Sequence, residues 1–332
     1  MTSLVLAPLS LVYGSVMRAR NARFDRTPPR RLRWPVVSVG NLSVGGAGKT
    51  PLVICLARLL QREGFAPDVL SRGYGRSQQA VERVDPAGSA DRFGDEPLLI
   101  ARSAGVPVYV GASRYDAGVL AESESGDRER RGVHLLDDGF QHRALARDLD
   151  IVVLHRSDLQ QRLLPAGRLR EPLAALRRAG VVVLRHEDAD LESMLQVHLR
   201  PECRFWRVRR TVALSSPIQS SVQRAVAFCA VARPAEFFAG LAAAGAGVAE
   251  QRRFRDHHPY TLADMTRLAE LGRQVGCDAF VTTAKDEVKL DTAMRLRLNT
   301  VAPLRIAALT VELTDQKAAL DDMRKSLIVS AR

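Results

Sequence analysis

The most informative segment of the sequence is residues 36–50, which read VVSVGNLSVGGAGKT. A short β-branched run ends at Gly40, a glycine-rich turn follows, and a helix is predicted to begin at Lys49. Glycines let backbone N–H groups wrap a phosphate, and the N-terminus of a helix adds the positive end of its dipole. The segment therefore predicts a phosphate-binding loop between a strand and a helix. The alternative is a glycine-rich turn without a ligand.

The end of this loop predicts specific contacts with a nucleoside triphosphate. Lys49 is expected to neutralise the β- and γ-phosphates, and the Thr50 hydroxyl to ligate Mg²⁺. Pro51 is compatible with the first helical turn, where its missing N–H has no use. The strict formula GxxxxGK[ST] would place glycine where Ser43 stands, so the loop is closer to the Gly-Gly-x-Gly-Lys-Thr variants. The predicted ATP-binding residues of the loop are Gly45, Gly46, Ala47, Gly48, Lys49, Thr50 and Pro51.

On either side of the loop, apolar strand-like runs alternate with helical ones as far as about residue 184. Strands are predicted at residues 36–39, 68–71, 106–110, 133–136, 151–154 and 181–184, and helices at residues 52–60, 96–103, 113–122 and 172–178. The polar residues 122–132 are expected to form an exposed loop. Continuous apolar strands that alternate with helices indicate a mostly parallel sheet covered on both faces. The predicted fold class is α/β, with a P-loop NTPase-like sheet flanked by helices, a smaller second α/β domain and an N-terminal helix.

The predicted organisation has four parts. These are an N-terminal helix with a basic flank (1–33), a core that contains the phosphate loop (34–203), an extended connector (204–222) and a smaller α/β domain (223–332). In the last part, strands are predicted at residues 225–230, 279–282 and 305–313, and helices at residues 234–244 and 262–275.

Composition limits the class of partner. Lys and Arg number 49 against 37 Asp and Glu, which gives a net charge of +12 and favours a polyanionic partner. An Arg-rich compositional bias is the alternative. Only 5% of the residues are aromatic, so rows of rings that stack on single-stranded nucleic acid are not expected. The four scattered cysteines form no metal-binding pattern and fit a reducing cytosolic compartment.

The N-terminus predicts contact with a membrane surface. Residues 4–17 are largely apolar, and a run rich in arginine follows from Arg18 to Arg33. A signal peptide has the reverse order, and the apolar stretch is shorter than the ~20 residues that span a bilayer. A helix lying in the interface, with basic residues near anionic head groups, fits better. The alternative is an amphipathic helix packed on the domain.

Two further segments carry carboxylates that suit phosphoryl transfer. Residues 133–142, VHLLDDGFQH, place Asp137 and Asp138 at the end of an apolar strand, where they could hold Mg²⁺ directly or through water. An Asp-Gly turn is the alternative. Asp95 precedes a helix and could be only an N-cap. However, a kinase also benefits from a base near the acceptor hydroxyl, and an imidazole from residues 256–260, DHHPY, could orient Asp95.

Taken in order, the motifs resemble one family, the tetraacyldisaccharide 4′-kinases of lipid A biosynthesis. The resemblance covers nearly the whole chain and rests on SVGNLSVGGAGKTP (38–51), SRGYGR (71–76), GDEP (94–97), LDDGFQH (136–142), LPAGRLREP (164–172), FRDHH (254–258) and TAKDE (283–287). Ala47 departs from the Thr or Ser that the family usually carries, which affects only the detail of the loop.

The resemblance implies ATP-dependent phosphorylation of the 4′-hydroxyl of a tetraacyldisaccharide 1-phosphate. It implies a peripheral enzyme on the cytoplasmic face of the bacterial inner membrane, and we expect a monomer that binds no nucleic acid. Asp95 becomes the expected base, paired with His257, while the choice between Asp137 and Asp138 as metal ligand stays open. The other implied roles are metal or nucleotide positioning for Glu96, Gln141 and His142, transition-state or substrate charge for Arg168 and Arg170, and the disaccharide site for Arg72, Tyr74 and Arg114. For the arginines, solvent-exposed charge is the alternative.

Two other functions use similar residues. A partitioning or metallochaperone-type switch ATPase has a comparable glycine-rich loop, but it often carries an extra lysine where this chain has Ser43-Val44. A basic DNA-binding ATPase would need a recognition motif, and none is apparent.

Overall fold

The strands of this protein form one mixed sheet. The computed structural model describes residues 7–46, 48–125, 131–214 and 223–330. Within them the sheet has twelve strands in the order β10-β9-β11-β12-β8-β7-β6-β1-β5-β2-β4-β3. All neighbouring strands are parallel except the pairs β12–β8 and β3–β4. The predicted α/β class with a mostly parallel, helix-flanked sheet is confirmed.

The strands are β1 Val36–Gly40, β2 Ala66–Ser71, β3 Glu82–Arg83, β4 Val108–Val110, β5 Gly132–Asp137, β6 Leu149–Val153, β7 Val181–Arg185, β8 Arg204–Leu214, β9 Ala225–Cys229, β10 Val248–Arg253, β11 Ala279–Thr283 and β12 Leu304–Leu313. The α-helices are α1 Ala7–Arg26, α2 Lys49–Arg62, α3 Ala90–Phe93, α4 Asp95–Ala104, α5 Arg114–Ser125, α6 Leu191–Leu195, α7 Pro234–Ala243, α8 Leu262–Val275, α9 Ala284–Glu287, α10 Thr292–Asn299 and α11 Gln316–Ser330.

The long strands β8 and β12 form an antiparallel ribbon that joins the two halves of the sheet. The start of β8, Arg204–Val208, pairs with β7, and the start of β12, Leu304–Ala307, pairs with β11. Since Ala307 pairs with Leu214 at the far end of β8, the two halves are offset along the ribbon. Each set of parallel strands therefore points its carboxyl ends toward the other set. Ligand sites in open α/β sheets form at such ends, so this topology creates one cleft between two such edges.

Buried apolar residues fix the phosphate-loop half. Every residue of β1 is buried, and α2 buries one face through Leu52, Val53, Leu56 and Leu60. This helix packs on β1, β2 and β12, so its N-terminus is held at the carboxyl edge of the sheet.

Several local predictions need correction. The segment 122–132 is not simply a loop, because α5 continues to Ser125 and β5 begins at Gly132, while residues 126–130 lie outside the described part. The helix predicted at 172–178 is a 3₁₀ helix, Leu173–Arg178. Residues 204–214 are extended as predicted, but they form a strand inside the sheet; residues 215–222 are not described. The domain boundaries stay a prediction.

The N-terminal helix α1 packs on the segment 163–171 through one side only. The Ser10 hydroxyl donates to the Leu163 carbonyl (2.9 Å), and the Tyr13 hydroxyl to the Arg170 carbonyl (3.1 Å). The side-chain amide of Asn21 donates to Glu171 (2.9 Å). The opposite side exposes the apolar residues Leu9, Leu11, Val12 and Val16. In the described ranges, no helix has the length and apolar character needed to cross a membrane.

Candidate nucleotide and phosphotransfer site

The cleft between the two sheet edges has a volume of about 1120 Å³. It gathers most of the residues that the sequence proposes for the site. Those that line it are Gly45, Gly46, Gly48, Lys49, Thr50, Pro51, Arg72, Tyr74, Asp95, Glu96, Arg114, Asp137, Asp138, Gln141, His142, Arg170 and His257. Arg168 is not among the lining residues, and Ala47 lies outside the described part of the chain.

The phosphate loop follows β1 and leads into α2. Gly45 and Gly48 both have φ of +88°, in the region where L side chains are strained. A Cβ on Gly45 would also lie 2.4 Å from Nη2 of Arg168, because that guanidinium donates to the Val44 carbonyl (3.0 Å). Arg168 therefore stabilises the loop through this hydrogen bond. Glycine is favoured at residue 45 because the backbone has a positive φ and because a side chain there would have little room.

Lys49 is held by two acceptors at the floor of the cleft. Its Nζ donates to Oδ1 of Asn41 (2.9 Å) and lies 2.9 Å from Oδ1 of Asp138. The other oxygen of Asp138 accepts from Nη1 of Arg170 (2.9 Å), which also reaches Gln141 (3.2 Å). Burial alone raises the pKa of Asp138, but Lys49 and Arg170 outweigh it and hold that pKa well below its usual range. Asp138 is thus an ionised carboxylate that pairs with both Lys49 and Arg170.

Asp137 is in the opposite electrostatic situation. It is buried, and burial together with the charges of Glu96 and Asp138 raises its pKa. Its Oδ2 accepts from Ser71 (3.2 Å), while its buried Oδ1 has no hydrogen-bond partner among the described residues. A buried carboxylate oxygen that has no hydrogen-bond partner and lies near other carboxylates is well suited to bind a cation.

This donor set fits Mg²⁺. Oxygen ligands from Asp137, Glu96 and the Thr50 hydroxyl line the same cleft. The described residues contain no preassembled group of three or more His, Cys, Asp or Glu that could hold a metal. Mg²⁺ typically takes one or two carboxylates and completes its shell with water and substrate phosphates, so no such group is needed.

Asp95 and His257 meet across the cleft, although 162 positions separate them in the chain. Nδ1 of His257 lies 2.9 Å from Oδ2 of Asp95, and His257 has a positive φ of 59°. Burial alone raises the pKa of Asp95, but the hydrogen bond with His257 and the charge of Lys285 bring it below its usual value. The same hydrogen bond raises the pKa of His257. The neighbouring His258 instead pairs with Asp264 (3.1 Å), so His257 is the partner of Asp95.

Lys285 completes this group, and the sequence assigned it no role. Its Nζ lies 2.9 Å from Oε1 of Glu96 and 3.2 Å from Nε2 of His257. Burial alone lowers the pKa of Lys285, but Glu96 and Asp95 outweigh it and raise that pKa. The only signal in the sequence was the TAKDE motif that contains this lysine.

One arm of the cleft carries Arg72, Tyr74, Arg114 and His142. Arg114 is buried, and burial together with the charge of Arg72 lowers its pKa to about 10. Burial also lowers the pKa of His142 to about 4, with Arg114 adding to the shift. Tyr74 is exposed, and its ring centroid lies 5.8 Å from that of His257. This arm is cationic and adjoins the Asp95–His257 pair.

The other side of the phosphate loop is covered by arginines from β7, β8 and the start of α7. Arg185, Arg210 and Arg233 surround the carboxylate of Glu236. The sequence did not single out this cluster, because these residues are four among 86 charged side chains and carry no motif.

A glycine-rich loop at the carboxyl edge of a parallel sheet, acidic residues beside it and an Asp–His pair facing it define a P-loop phosphotransferase. The chain belongs to the tetraacyldisaccharide-1-P 4′-kinase (LpxK) family, whose model matches residues 2–327.

The alignments with relatives cover most of each chain. A tetraacyldisaccharide 4′-kinase of Koribacter versatilis is 45% identical over 327 residues, covering 96% of this chain and 97% of the relative. One of Chlorobium luteolum is 38% identical over 310 residues, 87% of each chain. The crystal structure of LpxK from Aquifex aeolicus in complex with ATP is 31% identical and superposes with a TM-score of 0.77. That match covers 98% of this chain and 100% of the other.

Proposed function

We propose that this protein transfers the γ-phosphate of ATP to the 4′-hydroxyl of a tetraacyldisaccharide 1-phosphate, a precursor of lipid A. The observation that carries the proposal is the Asp95–His257 pair, which faces the phosphate loop across one cleft. A switch ATPase needs no such base, and the family match over nearly the whole chain does not favour that alternative.

In this proposal Asp95 accepts the proton of the acceptor hydroxyl as the hydroxyl oxygen attacks the γ-phosphorus. His257 orients the carboxylate through the 2.9 Å hydrogen bond, and the proton leaves the attacking oxygen as its bond to phosphorus forms. Lys49 and Arg170 balance the charge on the transferred group and on the leaving diphosphate. The backbone of Gly45, Gly46, Ala47 and Gly48 would bind the phosphates, and Pro51 and Gln141 line the nucleotide side. His142 would position the nucleotide from the adjoining arm that it shares with Arg72 and Arg114.

Mg²⁺ would be held by Thr50, Asp137 and Glu96, with Asp138 as the alternative carboxylate, and it would supply positive charge to neutralise the phosphates. Asp137 is the better direct ligand, because both oxygens of Asp138 already contact cations.

Arg72, Tyr74, Arg114 and Arg168 are proposed to serve the acceptor. The first three line the cationic arm beside Asp95, where the disaccharide and its existing phosphate would lie. Arg168 would act indirectly, through the phosphate loop, because it donates to the Val44 carbonyl of that loop.

We propose that α1 docks the enzyme on the cytoplasmic face of the inner membrane. Its exposed Leu9, Leu11, Val12 and Val16 would enter the interface, and the arginines from Arg18 onward would meet anionic head groups. A multiply acylated sugar stays in the bilayer, since each buried CH₂ is worth ~0.8 kcal/mol. The enzyme must therefore come to its substrate, and α1 contacts the segment that carries Arg170. We further propose that it acts as a monomer with the four parts 1–33, 34–203, 204–222 and 223–332.

The kinase function is tested by transfer of labelled γ-phosphate from ATP to a tetraacyldisaccharide 1-phosphate in mixed micelles. We expect a bisphosphorylated lipid from the wild type and from Lys317→Ala, which alters an exposed lysine, and none from Lys49→Ala. ATP hydrolysis by folded wild-type protein without lipid phosphorylation would overturn the proposal and favour the switch ATPase.

Membrane docking is tested with two substitutions of matched exposure. Leu11 and Val197 are both 74% exposed, but only Leu11 lies on the apolar side of α1. We expect Leu11→Glu to reduce sedimentation with anionic phospholipid vesicles, and Val197→Glu to leave it unchanged. Equal sedimentation of the two variants would contradict the docking surface.

A further inference from the structure

The basic cluster beside the phosphate loop consists of Arg185, Arg210 and Arg233 around Glu236. Oε2 of Glu236 lies 2.5 Å from Arg185 and 3.4 Å from Arg210, and Oε1 lies 3.4 Å from Arg233. His155 adds a contact of 3.0 Å to Oε1. Arg233 also lies 3.5 Å from Oδ1 of the buried Asp158, so two carboxylates contact three guanidinium groups next to a site for a triphosphate.

Two of these arginines pack directly against the loop. A Cβ on Gly48 would lie 3.4 Å from Cζ of Arg210, and one on Gly46 would lie 3.9 Å from Cγ of Arg233. Gly46 and Gly48 line the same cleft as both arginines. Both arginine side chains therefore border the cavity next to the phosphate loop.

The pairing of these two arginines is incomplete. Charge-assisted bonds between nitrogen and carboxylate oxygen are typically about 2.7–2.9 Å long, and the two 3.4 Å contacts to Glu236 exceed that range. Nε of Arg210 is buried and has no hydrogen-bond partner among the described residues. Burial and the charge of Arg185 lower the pKa of Arg210 to about 10, which reflects an under-compensated guanidinium. A buried donor without a partner indicates a missing acceptor.

We propose that Arg210 and Arg233 form the second half of the polyphosphate site, and that Glu236 is an internal counter-ion which phosphate oxygens replace. This inference rests on the proposed function for the identity of ATP as the ligand. Phosphate oxygens accept bidentate bonds from guanidinium, so the arginines gain better partners than a shared carboxylate. Glu236 meanwhile keeps its shorter contacts with Arg185 and His155.

The consequence is that Glu236 opposes nucleotide binding while it keeps the arginines in place. Replacing Glu236 with the isosteric glutamine removes the competing charge, so phosphate affinity should rise. Replacing either arginine removes a charge-assisted bond, and such a bond is worth about 1.5–3 kcal/mol, or about tenfold or more in affinity.

The test measures dissociation constants by isothermal titration calorimetry for ATP and for tripolyphosphate, which lacks the nucleoside. We expect Arg210→Gln and Arg233→Gln to weaken both ligands about tenfold, and Glu236→Gln to strengthen both by about threefold to tenfold. The matched controls are Arg207→Gln and Glu192→Gln. These residues form an ion pair of 2.8 Å between β8 and α6, away from the residues that line the cleft.

Thermal melting of each variant separates loss of folding from loss of binding. An arginine variant that melts like the wild type but binds both ligands more weakly supports the inference.

Arginine variants that bind both ligands like the wild type, or a Glu236→Gln variant that weakens binding, would overturn the inference. If the wild type meanwhile phosphorylates the lipid, the proposed function stands. If the wild type binds ATP but leaves the lipid untouched, the proposed function fails and the titrations still decide the role of the arginines.

Discussion

Asp95 and His257 should behave as one functional unit, and a double-mutant cycle measures whether they do. Asp95→Asn keeps the size of the side chain but removes the base, and His257→Ala removes the group that orients it. The 2.9 Å contact between Nδ1 and Oδ2 is the only described hydrogen bond from His257 to the carboxylate. The second oxygen of Asp95 accepts from the Glu96 amide (2.9 Å).

The magnitude follows from these contacts. A positioned general base contributes about 10²–10⁴ in rate, so Asp95→Asn should lower kcat by about a thousandfold. A hydrogen bond to a charged group is worth about 1.5–3 kcal/mol, so His257→Ala should lower kcat by about 10–100-fold. Once the carboxylate is gone, its orientation no longer matters. The double variant should therefore be about as slow as Asp95→Asn alone.

The assay is the initial rate of lipid phosphorylation at saturating ATP, with thermal melting to confirm folding. His258→Ala is the matched control, because His258 is adjacent in sequence but pairs with Asp264 rather than Asp95. We expect His258→Ala to retain most of kcat. Losses that multiply in the double variant, or an equal loss in His258→Ala, would refute the coupled pair.

Two further predictions concern stability and the loop. Burial alone lowers the pKa of His134, but the nearby carboxylates, led by Asp68 at 2.8 Å, outweigh it and raise that pKa to about 9. Because the folded value exceeds the ordinary value of 6.5, this contribution of about 3 kcal/mol is complete below pH 6.5 and is lost as the pH rises through about 9. Urea unfolding of wild type and His134→Gln should differ more at pH 6 than at pH 10, and a difference independent of pH would refute the charged imidazole. Gly45→Ala should weaken ATP binding in calorimetry, because its Cβ would lie 2.7 Å from Cβ of Ala232 at a φ of +88°, where L side chains are strained. Gly75→Ala, with a positive φ but open space around it, should retain binding, and equal losses would show that strain alone matters.

The phosphate-loop half of the fold could be predicted because its signals are local. Strands such as β1 and β5 are mostly apolar and buried along their whole length, and the glycines and Lys49 follow β1 closely in the sequence. Asp137 and Asp138 could be placed at the same edge as the loop because parallel strands share their carboxyl edge. These inferences require only the order of strands and helices along the chain and the chemistry of the glycine-rich turn after β1.

The ribbon and the arginine cluster could not be predicted, because both depend on contacts between distant parts of the chain. Residues 204–214 alternate between exposed and more buried positions, which fits a strand, but nothing in them identifies β12, about a hundred residues later, as the partner. β10 is largely polar, so it lacks the apolar signal of a strand. Arg210 and Lys285 gain their importance only when the ribbon brings the two edges together. The pairing of Asp95 with His257 was likewise implied by the family resemblance and not by spacing.

The backbone of Ala230 links the Asp95–His257 pair to the phosphate loop. Its N–H donates to the buried Asp286 (3.0 Å), and its carbonyl accepts from the His257 amide (3.3 Å). The carboxylate of Asp286 also accepts from the hydroxyl of Thr283 (2.7 Å), and Thr283 caps the turn that carries Lys285. Ala232, two residues after Ala230, packs against Gly45 of the phosphate loop. Since one short segment fixes the orienting imidazole, the buried ammonium and the cover of the loop, a shift of that segment would alter base orientation and phosphate binding together.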